Sequence, residues 1–314
     1  MDNLFDNQKQ FGAKIINAFN NHNTHSVLAF AHTQCGKTGS MLAAILLSNI
    51  PMDHIFVITG LSSVDWLNQT KERLPLKHIY HRNTIPAFIN AIKHLQNYLV
   101  FIDECHIAFK PGQTIREVIK LFHPSTKTVY VSATPDWNFF KPVSKSFPEG
   151  ILRPGFSVRV MGDHPNYRSI HYFKDNHLLF QCKSLINADA FRNIQEIIPH
   201  LSSSPKYHII RTSRNTDHDI TIANFKSVFG DSFAYIPMPV DIIYTLNSKP
   251  FVHSFIFIKD TIRCAITLPK QFIGILYDRF TASPSKSSVI QGLCGRATGF
   301  HSFHIIIFSF PLLI

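Results

Sequence analysis

Ala31-His-Thr-Gln-Cys-Gly-Lys-Thr38 follows the apolar run Ser26–Ala31 and opens the apolar-periodic stretch Lys37–Ser48. Strand, tight loop and helix in that order make a phosphate cradle. Backbone N–H groups converge at a helix N-terminus, where the dipole favours negative charge. The spacing is that of the P-loop, with Ala31 where the first glycine often stands. Lys37 is expected to set its ammonium against β- and γ-phosphate oxygens, and the Thr38 hydroxyl to ligate Mg2+. Gly36 allows close approach of backbone to phosphate, and Thr33, Gln34 and Cys35 complete the loop. These residues predict a site for ATP with Mg2+.

Outward from the loop, the first half repeats one pattern. Ser26–Ala31, His54–Gly60, Tyr98–Glu104 and Lys127–Ala133 are short and apolar on successive residues. That fits strands buried on both faces of a parallel sheet. Helices are expected between them, over Lys37–Ser48, Ser63–Leu74, Thr84–Gln96 and Thr114–Phe122. The alternation predicts an α/β fold with right-handed crossovers. From Pro135 to Pro165 prolines and glycines cluster, and an irregular connection is expected. Beyond it, Asn187–Leu201 is expected as a helix burying Phe191, Ile194, Ile197, Ile198 and Leu201. Strands are expected at Tyr207–Thr212, Phe233–Pro237, Ser254–Lys259, Phe272–Asp278 and Phe303–Ser309. The layout is thus an N-terminal domain over 1–140, a connection over 141–180 and a compact C-terminal domain over 181–314.

Composition sets bounds on function. The chain has 314 residues, enough for two domains at roughly 100–200 residues each. With 45% apolar and 16% charged residues it is not a disordered tail. No apolar run reaches the roughly 18–20 residues of a membrane span, and the apolar end, HIIIFSFPLLI, reads as a last core strand. Basic residues number 31 and acidic residues 20, a formal charge of +11. Such an excess suits a polyanion such as nucleic acid, or simply a soluble basic surface. The N-terminus has no signal-peptide pattern. Five scattered cysteines without a C-x-x-C pair argue against a disulfide framework or a structural zinc, and for a reducing, intracellular compartment.

Three further stretches carry chemistry. Leu99-Val-Phe-Ile-Asp-Glu-Cys-His106 ends an apolar run in two adjacent acids, where ligands of open parallel sheets bind. Asp103 is expected to hold Mg2+ through water, and Glu104 to act as general base on the attacking water. In Val131-Ser-Ala-Thr-Pro135, Ser132 and Thr134 are placed to bond to the acidic segment and relay its state. In Gln291-Gly-Leu-Cys-Gly-Arg296, Arg296 suits a cation for the γ-phosphate, and Gln291 a holder of water or phosphate.

In this order the four stretches resemble a superfamily two helicase or translocase of the DExH type, over about residues 5–300. The resemblance implies two RecA-like domains with the ATP site in their cleft, and a nucleic acid partner, DNA weakly favoured over RNA. It implies that His106 couples hydrolysis to the second domain, and that Gln8 or Gln10 reads adenine. Val57-Ile-Thr-Gly-Leu-Ser-Ser63 resembles the strand-gripping motif, which assigns nucleic acid contacts to Thr59, Gly60 and Ser62. Ile258-Lys-Asp-Thr-Ile-Arg263 stands where the motif joining nucleotide and strand lies, which assigns a further contact to Arg263. The flavour is that of helicase-like proteins of large DNA viruses or phages, placed in the cytoplasm or nucleus. The terminal motif departs from the family's Q-x-x-G-R-x-x-R: one extra residue separates Gln291 from Gly295, and Gly299 replaces the last arginine. Trp137, Phe139, Phe140 and Lys141 suit either base stacking or a core, and Lys141, Lys145, Arg153, Arg159 and Arg168 either a phosphate track or a solvated linker. Two rival functions remain: a non-hydrolysing binding module with a degenerate helicase core, and a P-loop ATPase that does not act on nucleic acid. Oligomeric state is left open.

Overall fold

The computed structural model describes residues 4–20, 24–108, 114–134, 156–162, 164–213, 216–259, 267–281 and 292–310. The chain divides into two compact units, Met1–Pro165 and Asn166–Ile314. Among the described residues no helix is long and apolar enough to cross a membrane.

In the first unit the unbroken apolar runs are strands: β1 (Ser26–Phe30), β2 (Ile55–Thr59), β3 (Ile79–Tyr80), β4 (Leu99–Asp103), β5 (Lys127–Ser132) and β6 (Phe156–Val160). All pair in parallel, in the order β3-β2-β4-β5-β1-β6. Every residue of β2 and the first four of β4 are buried, as a sheet covered on both faces requires. The helices are α1 (Asp6–Phe19), α2 (Lys37–Leu47), α3 (Val64–Arg73), α4 (Ile85–Ile92), α5 (Cys105–Ala108) and α6 (Thr114–Val118). Ser63 caps α3, its Oγ accepting the Trp66 N–H at 3.1 Å. Phe56, Phe88 and Tyr98 pack edge to face in the core, at 5.6 and 5.7 Å between centroids.

Two features depart from expectation. The stretch read as irregular contributes β6, which pairs along all of β1 from Ser26↔Phe156 to Phe30↔Val160. Its Phe-Ser-Val-Arg-Val alternation is an edge-strand pattern, masked in the sequence by the prolines and glycines around it. Helix α1 was not among the expected elements. It buries Phe11, Ile15, Ala18 and Phe19 beneath a polar first turn.

In the second unit a parallel sheet runs β10-β11-β9-β12-β14-β8. Its strands are β8 (Leu179–Gln181), β9 (Tyr207–Arg211), β10 (Ala234–Pro237), β11 (Ser254–Ile258), β12 (Ile273–Tyr277) and β14 (Ile306–Ser309). A short antiparallel ribbon joins β7 (Tyr167–Arg168) to β13 (Gly299–Phe300). Helices are α7 (Ile170–Asp175), α8 (Ala190–Gln195), α9 (Thr216–Phe229), α10 (Ile242–Leu246) and α11 (Leu293–Ala297). The expected helix over Asn187–Leu201 is shorter. It is α8 followed by a 3-10 turn, Ile198–His200, because Pro199 cannot donate within an α-helix. Phe191 and Ile198 are exposed, so of that face Ile194 and Ile197 are buried in the core and Leu201 packs against its margin. The phenylalanines gather inside: Phe225 packs edge to face on Phe255 and Phe257 at 4.9 and 5.3 Å. Beside them His208 is wholly buried. Its Nε2 lies 2.9 Å from Nδ1 of His253, which in turn is 3.0 Å from the Ser202 carbonyl through Nε2.

Candidate nucleotide site

The sheet order of the first unit decides what meets at its C-terminal edge. Strands lie about 4.8 Å apart. With β5 between β1 and β4, the loop after β1 and the acids after β4 are about 10 Å apart, a span a lysine can bridge. The registers Thr59↔Asp103 and Phe30↔Ser132 bring the ends of these strands level.

After β1 the chain turns through two left-handed residues, Gln34 at φ +57° and Gly36 at φ +97°. Gly36 is needed twice over, since a Cβ there would also stand 2.1 Å from Gln8 Nε2. Gln8, buried in α1, ties that helix to the loop. Its Nε2 donates to the Gly36 carbonyl at 3.2 Å, and its Oε1 accepts the Phe5 N–H at 3.0 Å. Gln10 is exposed. Lys37 opens α2 and its Nζ donates across the loop to the His32 carbonyl at 3.2 Å. Thr33 and Cys35 are buried, with Cys35 Sγ 3.6 Å from Met161 Sδ, and Thr38 is half-buried in the first turn of α2.

At the end of β4, Asp103 accepts the Trp66 indole N–H on Oδ2 and the Glu104 N–H on Oδ1, both at 2.9 Å. Burial raises its carboxyl to about 6, and the neighbouring Glu104 charge adds to the rise. The Trp66 N–H, the Lys37 ammonium and the Glu104 N–H hold it from rising further. Glu104 sits at φ +50°, a turn that folds its side chain inward, and is 6% exposed. From α5, His106 places Nδ1 3.4 Å from Glu104 Oε2 and 3.2 Å from Ser132 Oγ. Ser132 Oγ also accepts the Thr134 N–H at 3.1 Å. Lys37, Asp103, Glu104, His106, Ser132 and Thr134 therefore stand on one sheet edge, with Gln8 behind the loop. Of the residues assigned to nucleic acid, Thr59 and Gly60 are buried and Ser62 is exposed. The Thr59 hydroxyl accepts the Leu61 N–H at 3.3 Å.

These residues fit a magnesium–nucleotide. The loop presents an ammonium and a helix N-terminus to phosphate. The acid pair, with the Asp103 carboxyl raised by burial first and by the Glu104 charge second, is the donor set a divalent cation would relieve.

In the second unit Arg296 lies on α11 and is buried, 2% exposed. Asp278, just past β12, anchors that helix: Oδ2 accepts the Leu293 N–H at 3.3 Å, while Oδ1 accepts the Arg279 N–H and pairs with Arg211, each at 3.0 Å. Burial and the Arg296 charge lower Lys270 to about 8. Gly299 has φ +127° where the ribbon pairs it with Arg168, a backbone that an arginine resists. Gln291 and Arg263 lie outside the described residues, as do Trp137, Phe139, Phe140, Lys141, Lys145 and Arg153. Trp66 and Asp278 escaped the sequence reading. The only signal for Trp66 was that a buried indole N–H needs an acceptor.

No protein-family model and no curated protein sequence matches the chain. Solved structures do. The chain is similar to the DEAH/RHA helicase HrpB of Escherichia coli, with a TM-score of 0.56 and 12% identity, over 94% of this chain and 42% of that one. It thus spans less than half the length of HrpB. It is also similar to Dbp5 of S. cerevisiae bound to RNA and ADP BeF3, with a TM-score of 0.59 and 12% identity, over 98% of this chain and 87% of that one. What the chain shares with these structures is the fold: two RecA-like α/β domains, each a parallel six-stranded sheet flanked by helices.

Proposed function

We propose that this chain is an ATP-driven helicase or translocase, which hydrolyses ATP and moves along or remodels a nucleic acid strand inside the cell. The observation that carries the reading is the meeting of Lys37, Asp103, Glu104 and Ser132 on one sheet edge, with His106 between Glu104 and Ser132. Lys37 and the loop of Thr33, Gln34, Cys35 and Gly36 hold the phosphates, and Gln8 or Gln10 faces the adenine. Thr38 and Asp103 hold Mg2+, which supplies charge neutralisation at the phosphate oxygens. Glu104 takes the proton of the attacking water. His106, Ser132 and Thr134 pass the state of the acids to the neighbouring strand. Gln291 and Arg296 are assigned to the water and the γ-phosphate charge, and Arg263, Thr59, Gly60 and Ser62 to the nucleic acid. The +11 charge suits either DNA or RNA, and Dbp5 holding RNA gives DNA no advantage.

The test is ATP turnover with single- and double-stranded DNA, single- and double-stranded RNA, and none, for the parent, Lys37→Ala and Glu104→Gln. Nucleic acid should stimulate the parent, and both variants should fall by about 10²-fold or more. Parental rates in both variants refute the assignment. A second reading, a binding module without turnover, is favoured by Gly299 at φ +127° in place of the family's arginine. ATP binding with no turnover under any of these conditions would establish it.

A further inference from the structure

Asp103 carries a hydrogen bond that no expected role accounts for. Its Oδ2 accepts the indole N–H of Trp66 at 2.9 Å, across 37 residues of chain. Its Oδ1 accepts the Glu104 N–H at the same distance. One donor on each oxygen fixes the plane of the carboxylate and leaves a lone pair on each for another partner. Trp66 is 3% exposed and Asp103 half-buried, so the bond is partly shielded from water, and a hydrogen bond to a carboxylate is charge-assisted. The indole is itself aimed. Ser63 Oγ caps α3 by accepting the Trp66 backbone N–H, and the Thr70 hydroxyl donates to the Trp66 carbonyl at 2.7 Å. Ser63 closes the loop that leaves β2, and β2 is the strand whose Thr59 is level with Asp103. The tryptophan is therefore built into the rim of the site.

We propose that Trp66 is a positioning residue, whose indole N–H holds the Asp103 carboxylate in the orientation in which it takes Mg2+. The proposal rests on the Mg-ATP reading above and adds a selective signature. Phenylalanine at 66 keeps most of the volume and gives no donor. The carboxylate then keeps only the Glu104 N–H and turns about its own axis. Lys37 and the phosphate loop stay as they are. The loss therefore falls on the metal half of the site and spares the phosphate half. Residues that orient a metal ligand typically change metal affinity by about 10–100-fold.

The experiment is ADP binding by the full chain, measured calorimetrically across a Mg2+ titration and again in EDTA. Trp66→Phe should raise the Mg2+ concentration for half-saturation by about tenfold. Its ADP affinity in EDTA should stay within about twofold of the parent, a split that a merely structural role would not produce. A second arm uses the chain's own fluorescence, since Trp66 and Trp137 are its two tryptophans. In Trp137→Phe the remaining indole should change its emission when Mg2+ joins bound ADP, and adding Asp103→Asn should abolish that change. Equal losses with and without Mg2+, or an unchanged Mg2+ requirement, overturn the proposal. If Trp66→Phe does not fold, the emission arm decides, and an indole blind to both Mg2+ and Asp103→Asn overturns it. A parent that binds no ADP fails the Mg-ATP reading and this proposal together. A parent that binds, beside a Trp66→Phe that matches it, fails this proposal alone.

Discussion

His208 offers a perturbation whose size follows from its surroundings. It is wholly buried beside Phe255, and burial together with His253 lowers its ring to about 3. An unfolded histidine titrates near 6.5. A lowered folded value means the neutral ring is favoured in the fold, so its contribution is complete above pH 6.5. It is lost as pH falls, down to about 3. Between pH 7 and 5 the unfolded chain takes up most of one proton here and the folded chain almost none. Integrating that difference gives a loss of about 2 kcal/mol. The figure is set by the unfolded value and holds for any folded value below about 4. His208→Gln keeps an N–H donor toward His253 Nδ1 and removes the titrating ring. Urea denaturation, followed by circular dichroism at pH 7, 6 and 5, should show the parent losing about 2 kcal/mol more than the variant. The other lowered histidines, His78, His200, His218, His253 and His301, act in both proteins and largely cancel. Parallel pH profiles for parent and variant would refute the argument.

Three further outcomes follow from single contacts. Gly299→Arg restores the family's residue, but at φ +127° it should cost about 1–3 kcal/mol and lower the melting temperature without raising ATP turnover. Ser132→Ala removes the acceptor of the Thr134 N–H and the partner of His106 Nδ1. Calorimetric Mg-ATP affinity should stay within about threefold, while stimulation of turnover by nucleic acid falls by about tenfold, a change of roughly 1.4 kcal/mol. Asp278→Ala removes the carboxylate paired with Arg211, whose side chain is 12% exposed. Breaking such a pair should cost about 3–5 kcal/mol, seen as a lower urea midpoint.

The sequence made legible whatever is written in consecutive residues. The runs that became β1, β2, β4, β5, β9, β11 and β12 lie within a residue or two of their expected bounds, because strands covered on both faces need continuous apolar residues. The tight loop after β1 and the acid pair at the end of β4 are likewise written in consecutive residues, so their place at the strand ends was legible. What escaped depends on register or on distant partners. The Phe156–Val160 strand is recognisable only beside β1. Gln8 was noticed for its spacing, while its hold on the Gly36 carbonyl exists only because α1 packs behind the loop. Asp278 and Arg211 are brought level by the parallel pairing of β12 with β9, and Trp66 meets Asp103 because α3 follows β2, the neighbour of β4. Helix α9 mixes polar and apolar residues around its circumference, burying only His218, Thr221 and Phe225, so no clean stripe announced it.

The pairing of β6 with β1 has a consequence for how this protein is made and cut. Ser26 meets Phe156, so the ribosome must deliver a further 130 residues before the strand that leads into the Ala31–Thr38 loop gains its outer neighbour. Until then β1 is a bare margin of unpaired N–H and C=O groups, the kind of template on which nascent chains stick to one another. A fragment ending at residue 140 would keep that margin for good, so a soluble N-terminal piece should carry the chain beyond Val160.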